Sequence, residues 1–158
     1  MPVVLALVLT TLFLLTGCDA PKSDDSDTVY TNVSKQQLLG RWTVINYWAS
    51  WCKPCLEEMP ELNRFHRQFS QPMSTQHAQV FAVNFDGLEL DALRIESEKL
   101  AVNVPLIVND PSAVLGVDRP TVLPTTLVFD PQGQLKHTLL GPQTFQSLKQ
   151  LIGLTDQR

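Results

Sequence analysis

Positive charge is scarce in this chain. Against 16 Asp and Glu stand 12 Lys and Arg, a formal net charge of −4 over 158 residues. The basic residues are scattered, so the chain lacks the electrostatic footprint of a nucleic-acid binder or a polybasic membrane patch. Cysteine and histidine are equally sparse, at 3 each. His66, His77 and His137 lie too far apart for a local finger pattern, and a structural zinc needs four ligands, usually a second Cys-x-x-Cys or a paired histidine motif. No metal site and no cofactor are expected. The longest apolar stretch, Val3 to Leu15, falls short of the roughly 18–20 residues of a spanning helix and suits a signal-peptide core. Internal repeats are absent, and the length fits one compact domain, expected to be a monomer.

What is present concentrates at Trp51-Cys52-Lys53-Pro54-Cys55. A run of strand formers, Trp42 to Trp48, precedes the pair, and a helix-forming stretch follows it. A Cys-x-x-Cys where a strand turns into a helix sets its first sulfur beside unpaired backbone N–H groups and the positive end of the helix dipole. Both favour the thiolate, which is the reactive form. Cys52, at the helix start with its sulfur toward solvent, is the expected nucleophile. Cys55, one turn in, is the resolving thiol and should be more buried. Lys53 adds a cation that favours thiolate at Cys52, and Pro54 stiffens the turn. Glu58, three residues after Cys55, shares its helix face. Shielded from water, such a carboxylate has a raised pKa and can take the proton from Cys55.

The rest alternates strand and helix, an α/β pattern beginning near Ser34. Trp42–Trp48 is nearly continuous in apolar character, as a buried central strand should be. From Cys52 to Phe69, the residues Leu56, Met59, Leu62, Phe65 and Phe69 recur at helical spacing, with Pro60 predicting a kink. Gln79–Phe85 reads as a second buried strand, and Leu88–Leu100 as an amphipathic helix. Val104–Val108 is a short strand that Pro105 pushes toward an edge. Asp110-Pro111 opens a short helix ending near Gly116. Thr125–Phe129 and Leu135–Leu139 flank the turn Asp130-Pro131-Gln132-Gly133 and make a hairpin. Thr144 caps a last helix running to Ile152.

This order resembles the thioredoxin fold, a central mixed β-sheet flanked by helices. More closely it resembles the TlpA-like thiol–disulfide oxidoreductases, the ResA/DsbE-like group. Trp48-Ala49-Ser50-Trp51-Cys52-Lys53-Pro54-Cys55 matches the active-site signature of that group. Glu58 and Pro60 fall where it has an acidic residue and a helix proline, and Leu123-Pro124-Thr125-Thr126 matches its cis-proline loop. Residues 86–110 match its insertion between the active-site half and the cis-proline half. The resemblance implies a redox-active Cys52–Cys55 disulfide and a proton-accepting Glu58. It also implies a cis Pro124, which presents the backbone of Leu123 to a substrate strand for main-chain pairing. Trp48 and Trp51 are expected to pack over the pair, with the ring of Trp51 also available to substrate.

Leu15-Thr16-Gly17-Cys18 resembles a bacterial lipobox, which implies cleavage before Cys18 and its lipidation. An uncleaved anchor is the alternative, and both place the domain outside the cytoplasm on a membrane. The expected organisation is a signal peptide over residues 1–17, a lipidated cysteine and polar tether over 18–33, and a thioredoxin-like domain over 34–158. Asp19 resembles an inner-membrane retention signal, which favours the inner membrane of a periplasm. The implied activity is reduction of disulfides in exported proteins, an apocytochrome c among the candidates, with electrons from a membrane donor of the DsbD or CcdA kind. A dithiol oxidase is the rival in the same class. A Sco-like copper metallochaperone is the rival outside it, although such proteins resemble Cys-x3-Cys, one residue longer than the spacing here.

Overall fold

The computed structural model describes residues 29–70 and 78–154. The expected leader, Cys18 and most of the tether lie outside the described residues. Ten elements follow in order: β1 (Tyr30–Thr31), β2 (Trp42–Trp48), α1 (Lys53–Phe69), β3 (Ala78–Asn84), α2 (Leu90–Lys99), β4 (Leu106–Ile107), α3 (Ser112–Leu115), β5 (Thr125–Phe129), β6 (Leu135–Leu140) and α4 (Phe145–Leu151). They form one six-stranded mixed sheet in the order β1-β4-β3-β2-β5-β6. β1, β4, β3 and β2 run parallel, while β5 is antiparallel to β2 and to β6.

β2 is buried along nearly its whole length because both of its faces are covered. Val44 and Trp48 belong to one core cluster, with Cys55, Met59, Leu62, Phe65 and Phe69 of α1 and Phe145 and Leu148 of α4. Ile45 and Tyr47, pointing the other way, belong to a second cluster with Phe81, Leu127 and Phe129. This is the period-two alternation of a strand, with apolar residues on both sides. Phe65, Phe69 and Phe145 meet with centroids 4.9 to 6.1 Å apart and join α1 to α4. Each such fully buried side chain contributes about 1.5–3 kcal/mol. β5 and β6 close on Asp130, whose Oδ1 accepts from the Gln132 and Gln134 N–H groups, while Gly133 takes φ +74°.

Asn63 staples the insertion to α1. Its side chain donates to the Ala101 carbonyl at 2.8 Å and accepts from the Asn103 N–H at 2.9 Å. Ala101 itself takes φ +53°, in the left-handed region, just past the end of α2.

Two expectations are corrected. The fold does not begin at Ser34: β1 precedes it, Val33 is buried, and the Tyr30 hydroxyl meets Ser97 Oγ at 3.3 Å. β4 is not an edge strand, because β1 covers it. Pro105 stays outside β4 and contributes its carbonyl, which accepts from the Ala82 N–H. Pro60 lies inside α1, which runs from Lys53 to Phe69. A 3-10 turn at Lys35–Leu38 that periodicity did not suggest buries Leu38 against the second cluster.

Candidate active site

The site is built where β2 hands over to α1. Cys52 is the N-cap of α1 in extended conformation, and its carbonyl accepts from the Cys55 and Leu56 N–H groups at 3.0 and 3.2 Å. Its sulfur also accepts from the Cys55 N–H at 3.3 Å, as a capping side chain does. Pro54 sits in the first turn, where a missing N–H leaves no intrahelical bond unmade. Cys52 and Cys55 are joined in a disulfide with Cα atoms 5.3 Å apart. Any thiolate released at Cys52 on reduction faces the open N–H groups of α1.

Cys55 is fully buried, and Cys52 is 5% exposed. The order of burial agrees with expectation, and Cys52 keeps only a small exposure in this oxidised pair. Both cysteines are packed into the cluster containing Trp48, Ala49 and Met59. The Lys53 ammonium lies 3.6 Å from Glu57 in an exposed pair. Its influence on Cys52 is thereby shared and screened.

The two tryptophans part company. Trp48 is buried in the core as expected, whereas Trp51 is 64% exposed. It is held instead by Nε1 donating to Asp86 Oδ2 at 2.9 Å and by an edge contact on Phe85. Phe85 is fixed in turn. Its N–H donates to the Trp48 carbonyl at 2.7 Å, the Arg119 guanidinium lies over its ring at 4.4 Å, and Arg119 Nη2 donates to its carbonyl. Arg119 Nε bonds Asp110 Oδ2 at 2.7 Å, and Asp110 Oδ1 accepts from the Tyr47 hydroxyl and the Ser112 N–H. Against the opposing effect of burial, the hydrogen bonds from Ser112, Arg119 and Tyr47 hold Asp110 below its ordinary range. Burial and the Asp110 charge push the Tyr47 hydroxyl well above its own.

Leu123–Pro124 is a cis peptide. β5 starts at the next residue, with Thr125 opposite Tyr47. The loop therefore lies at the end of the sheet where β2 runs into the Cys52 turn. Leu123 packs against both core clusters, and the Pro124 carbonyl accepts from the Gly141 N–H at 3.0 Å.

Glu58 is 2% exposed. Oε1 accepts from Asn46 Nδ2 at 2.8 Å, and Oε2 accepts from the Gln143 backbone N–H at 2.7 Å. Burial raises its pKa, and the hydrogen bonds from Gln143 and Asn46 oppose that rise without cancelling it. Asn46 Nδ2 also donates to Thr126 Oγ1 at 3.0 Å. Sequence reasoning passed over Asn46, Thr126 and Gln143. Asn46 had a signal, being an amide in an apolar and aromatic strand, and a buried amide requires a partner. Thr126 lay in the cis-proline motif with nothing local to tie it to Glu58, and Gln143 acts through its backbone. Among the described residues no three His, Cys, Asp or Glu side chains converge as a metal site.

A model of the AhpC/TSA family matches residues 16–138. The thiol-disulfide oxidoreductase ResA of Bacillus subtilis (strain 168) is 26% identical over 138 residues, covering 87% of this chain and 74% of its own. Two solved structures share the fold. A secreted thiol-disulfide isomerase from Corynebacterium glutamicum superposes with a TM-score of 0.62 at 24% identity, over 74% of this chain and 71% of its own. StoA from Bacillus subtilis superposes with a TM-score of 0.57 at 21% identity, over 71% of this chain and 82% of its own. With its Cys52–Cys55 disulfide at the head of α1, the chain belongs to the AhpC/TSA family and is a thiol–disulfide oxidoreductase of the thioredoxin fold.

Proposed function

We propose that this oxidoreductase reduces disulfides in exported proteins from the outer side of a bacterial membrane, to which lipidated Cys18 holds it. The Cys52 thiolate attacks one sulfur of a substrate disulfide, forming a mixed disulfide and releasing the other substrate sulfur as thiolate. Cys55 then attacks Cys52 Sγ after giving its proton to Glu58. The second substrate thiolate leaves, and the Cys52–Cys55 disulfide closes. Two electrons pass to the substrate, and a membrane donor of the DsbD or CcdA kind restores the dithiol. The backbone of Leu123 beside Pro124 pairs with the substrate strand, and the exposed Trp51 ring contacts it.

The observation that carries this reading is the burial of Glu58 one helical turn beyond a fully buried Cys55. A thiol closed off from water needs a local proton acceptor before it can attack, and this carboxylate is held in place by two N–H donors. The Leu15-Thr16-Gly17-Cys18 sequence supports the location, as does a structural relative described as secreted.

Replacing Cys55 with Ser tests it, because the mixed disulfide can then form but not resolve. Exported proteins should be recovered linked to Cys52 and freed by dithiol. Absence of Cys52-linked species would overturn the reading. A measured potential more oxidising than about −180 mV, that of protein disulfide isomerase, would overturn the direction of electron flow and make the protein a disulfide donor.

A further inference from the structure

Asn46 is a fully buried amide in the middle of the central strand, and its bonding is lopsided. Nδ2 serves two acceptors, Glu58 Oε1 at 2.8 Å and Thr126 Oγ1 at 3.0 Å. Oδ1 is buried with no hydrogen-bond partner among the described residues. A native structure rarely leaves a buried acceptor unmatched beside a fully used donor on the same group.

Both acceptors facing Nδ2 can reverse their sense. A carboxylate that binds a proton becomes an O–H donor, and a threonine hydroxyl donates as readily as it accepts. The Gln143 backbone N–H on Glu58 Oε2 cannot reverse. A proton arriving at Glu58 is therefore directed to Oε1, the oxygen facing Asn46. There it meets an N–H in the orientation observed, and a carbonyl oxygen if the amide turns over.

We propose that Asn46 is a positioning residue whose side-chain amide turns over with the proton on Glu58, donating to the carboxylate and accepting from the acid. In the first state Nδ2 donates to Glu58 and Thr126. In the second Oδ1 accepts from the Glu58 O–H and from the Thr126 hydroxyl, which rotates to donate, and Nδ2 takes the unpartnered place that Oδ1 held. No bond other than the O–H on Glu58 forms, and the proton is the one the proposed mechanism takes from Cys55. The groups around Glu58 permit this. Its own helix offers Cys55 on the same face and Glu61 one turn on, whose carboxylate is already bound to the Phe145 N–H at 2.9 Å. β2, β5 and the segment before α4 contribute Asn46, Thr126 and Gln143, all neutral.

The inference rests on the reading of Glu58 as a proton acceptor, and side-chain NMR of the intact, isotope-labelled oxidised protein tests it separately from catalysis. The Glu58 carboxyl carbon reports the proton, and cross-peaks from the Asn46 NH2 protons to Thr126 report the amide. Those cross-peaks should be present at high pH and lost on acidification, with the same midpoint as the carbon. In Glu58→Gln the new side chain must give its oxygen to the Gln143 N–H and its NH2 to Asn46, so the cross-peaks should be lost at every pH. Cross-peaks that persist while Glu58 titrates, or that survive in Glu58→Gln, would overturn the proposal. So would a Glu58 carbon that never titrates. Resolution of the mixed disulfide by Glu58→Gln at wild-type rate would instead strike the catalytic reading, leaving the amide's orientation to be decided by the cross-peaks.

Discussion

At the level of single side chains, Glu58 stands between opposing demands. Burial favours the neutral acid, and its two N–H donors favour the carboxylate, with burial prevailing. Replacing it with Gln should slow resolution of the mixed disulfide by roughly 10²-fold, the low end of positioned general acid–base catalysis. Attack by Cys52 should proceed unchanged. The linked species should accumulate near neutral pH and be resolved faster as hydroxide takes over, seen by acid quench and gel separation; wild-type turnover with no accumulation would contradict the role. Stability gives an independent reading. A folded pKa above the unfolded one means that Glu58's contribution is complete at low pH and lost as pH rises through the raised value. The stability of Glu58→Gln relative to wild type should therefore improve as pH rises above about 4, the ordinary glutamate range, measured by denaturant titration. Cys52, Cys55, Glu58 and Pro124 stood out in the sequence because short motifs carry them. Their partners did not, since Asn46 and Gln143 reach Glu58 across 12 and 85 residues of chain, and such pairings leave no local pattern.

Among the elements, those with a long apolar signature were legible in full, and the short ones only in part. β2 and β3 are seven residues each and nearly all buried, so their boundaries followed from composition within a residue. β1 and β4 are two residues each, too short to show a period of two; β4 was read with bounds too wide and β1 was missed. Position in the sheet was likewise hidden for β4, because Pro105 argued for an edge while the covering strand lay in what read as tether. The joint between α1 and the insertion depends on Asn63, whose amide makes two bonds from a nearly buried position. Asn63→Ala should cost about 2–3 kcal/mol in urea unfolding, because the Ala101 carbonyl and the Asn103 N–H both lose their partner. A loss below about 0.5 kcal/mol, the size of an ordinary surface change, would mean water replaces the amide without penalty.

For the whole molecule, the extent of the folded unit is the main revision. The sequence pattern placed its start at Ser34, yet β1 pairs with β4 and Val33 is buried. A chain trimmed to begin at Ser34 should be less stable than one beginning upstream of Val29, by about 2 kcal/mol from loss of the Val33 side chain alone. It should also associate at high concentration, because removing β1 turns β4 into an uncovered edge. Equal unfolding midpoints for the two chains would show that β1 is decoration. The pairing of β1 has a mechanical consequence too. Tension applied through the N-terminus meets the fold first at the bonds from the Leu106 N–H to the Val29 carbonyl and from the Val108 N–H to the Thr31 carbonyl. These are few and peripheral, whereas β2 is locked between β3 and β5. A molecule pulled by that end would yield at β1, lengthening by about 3.3 Å for each residue released, while Cys52, Cys55 and Glu58 remain in register with one another and ready to react.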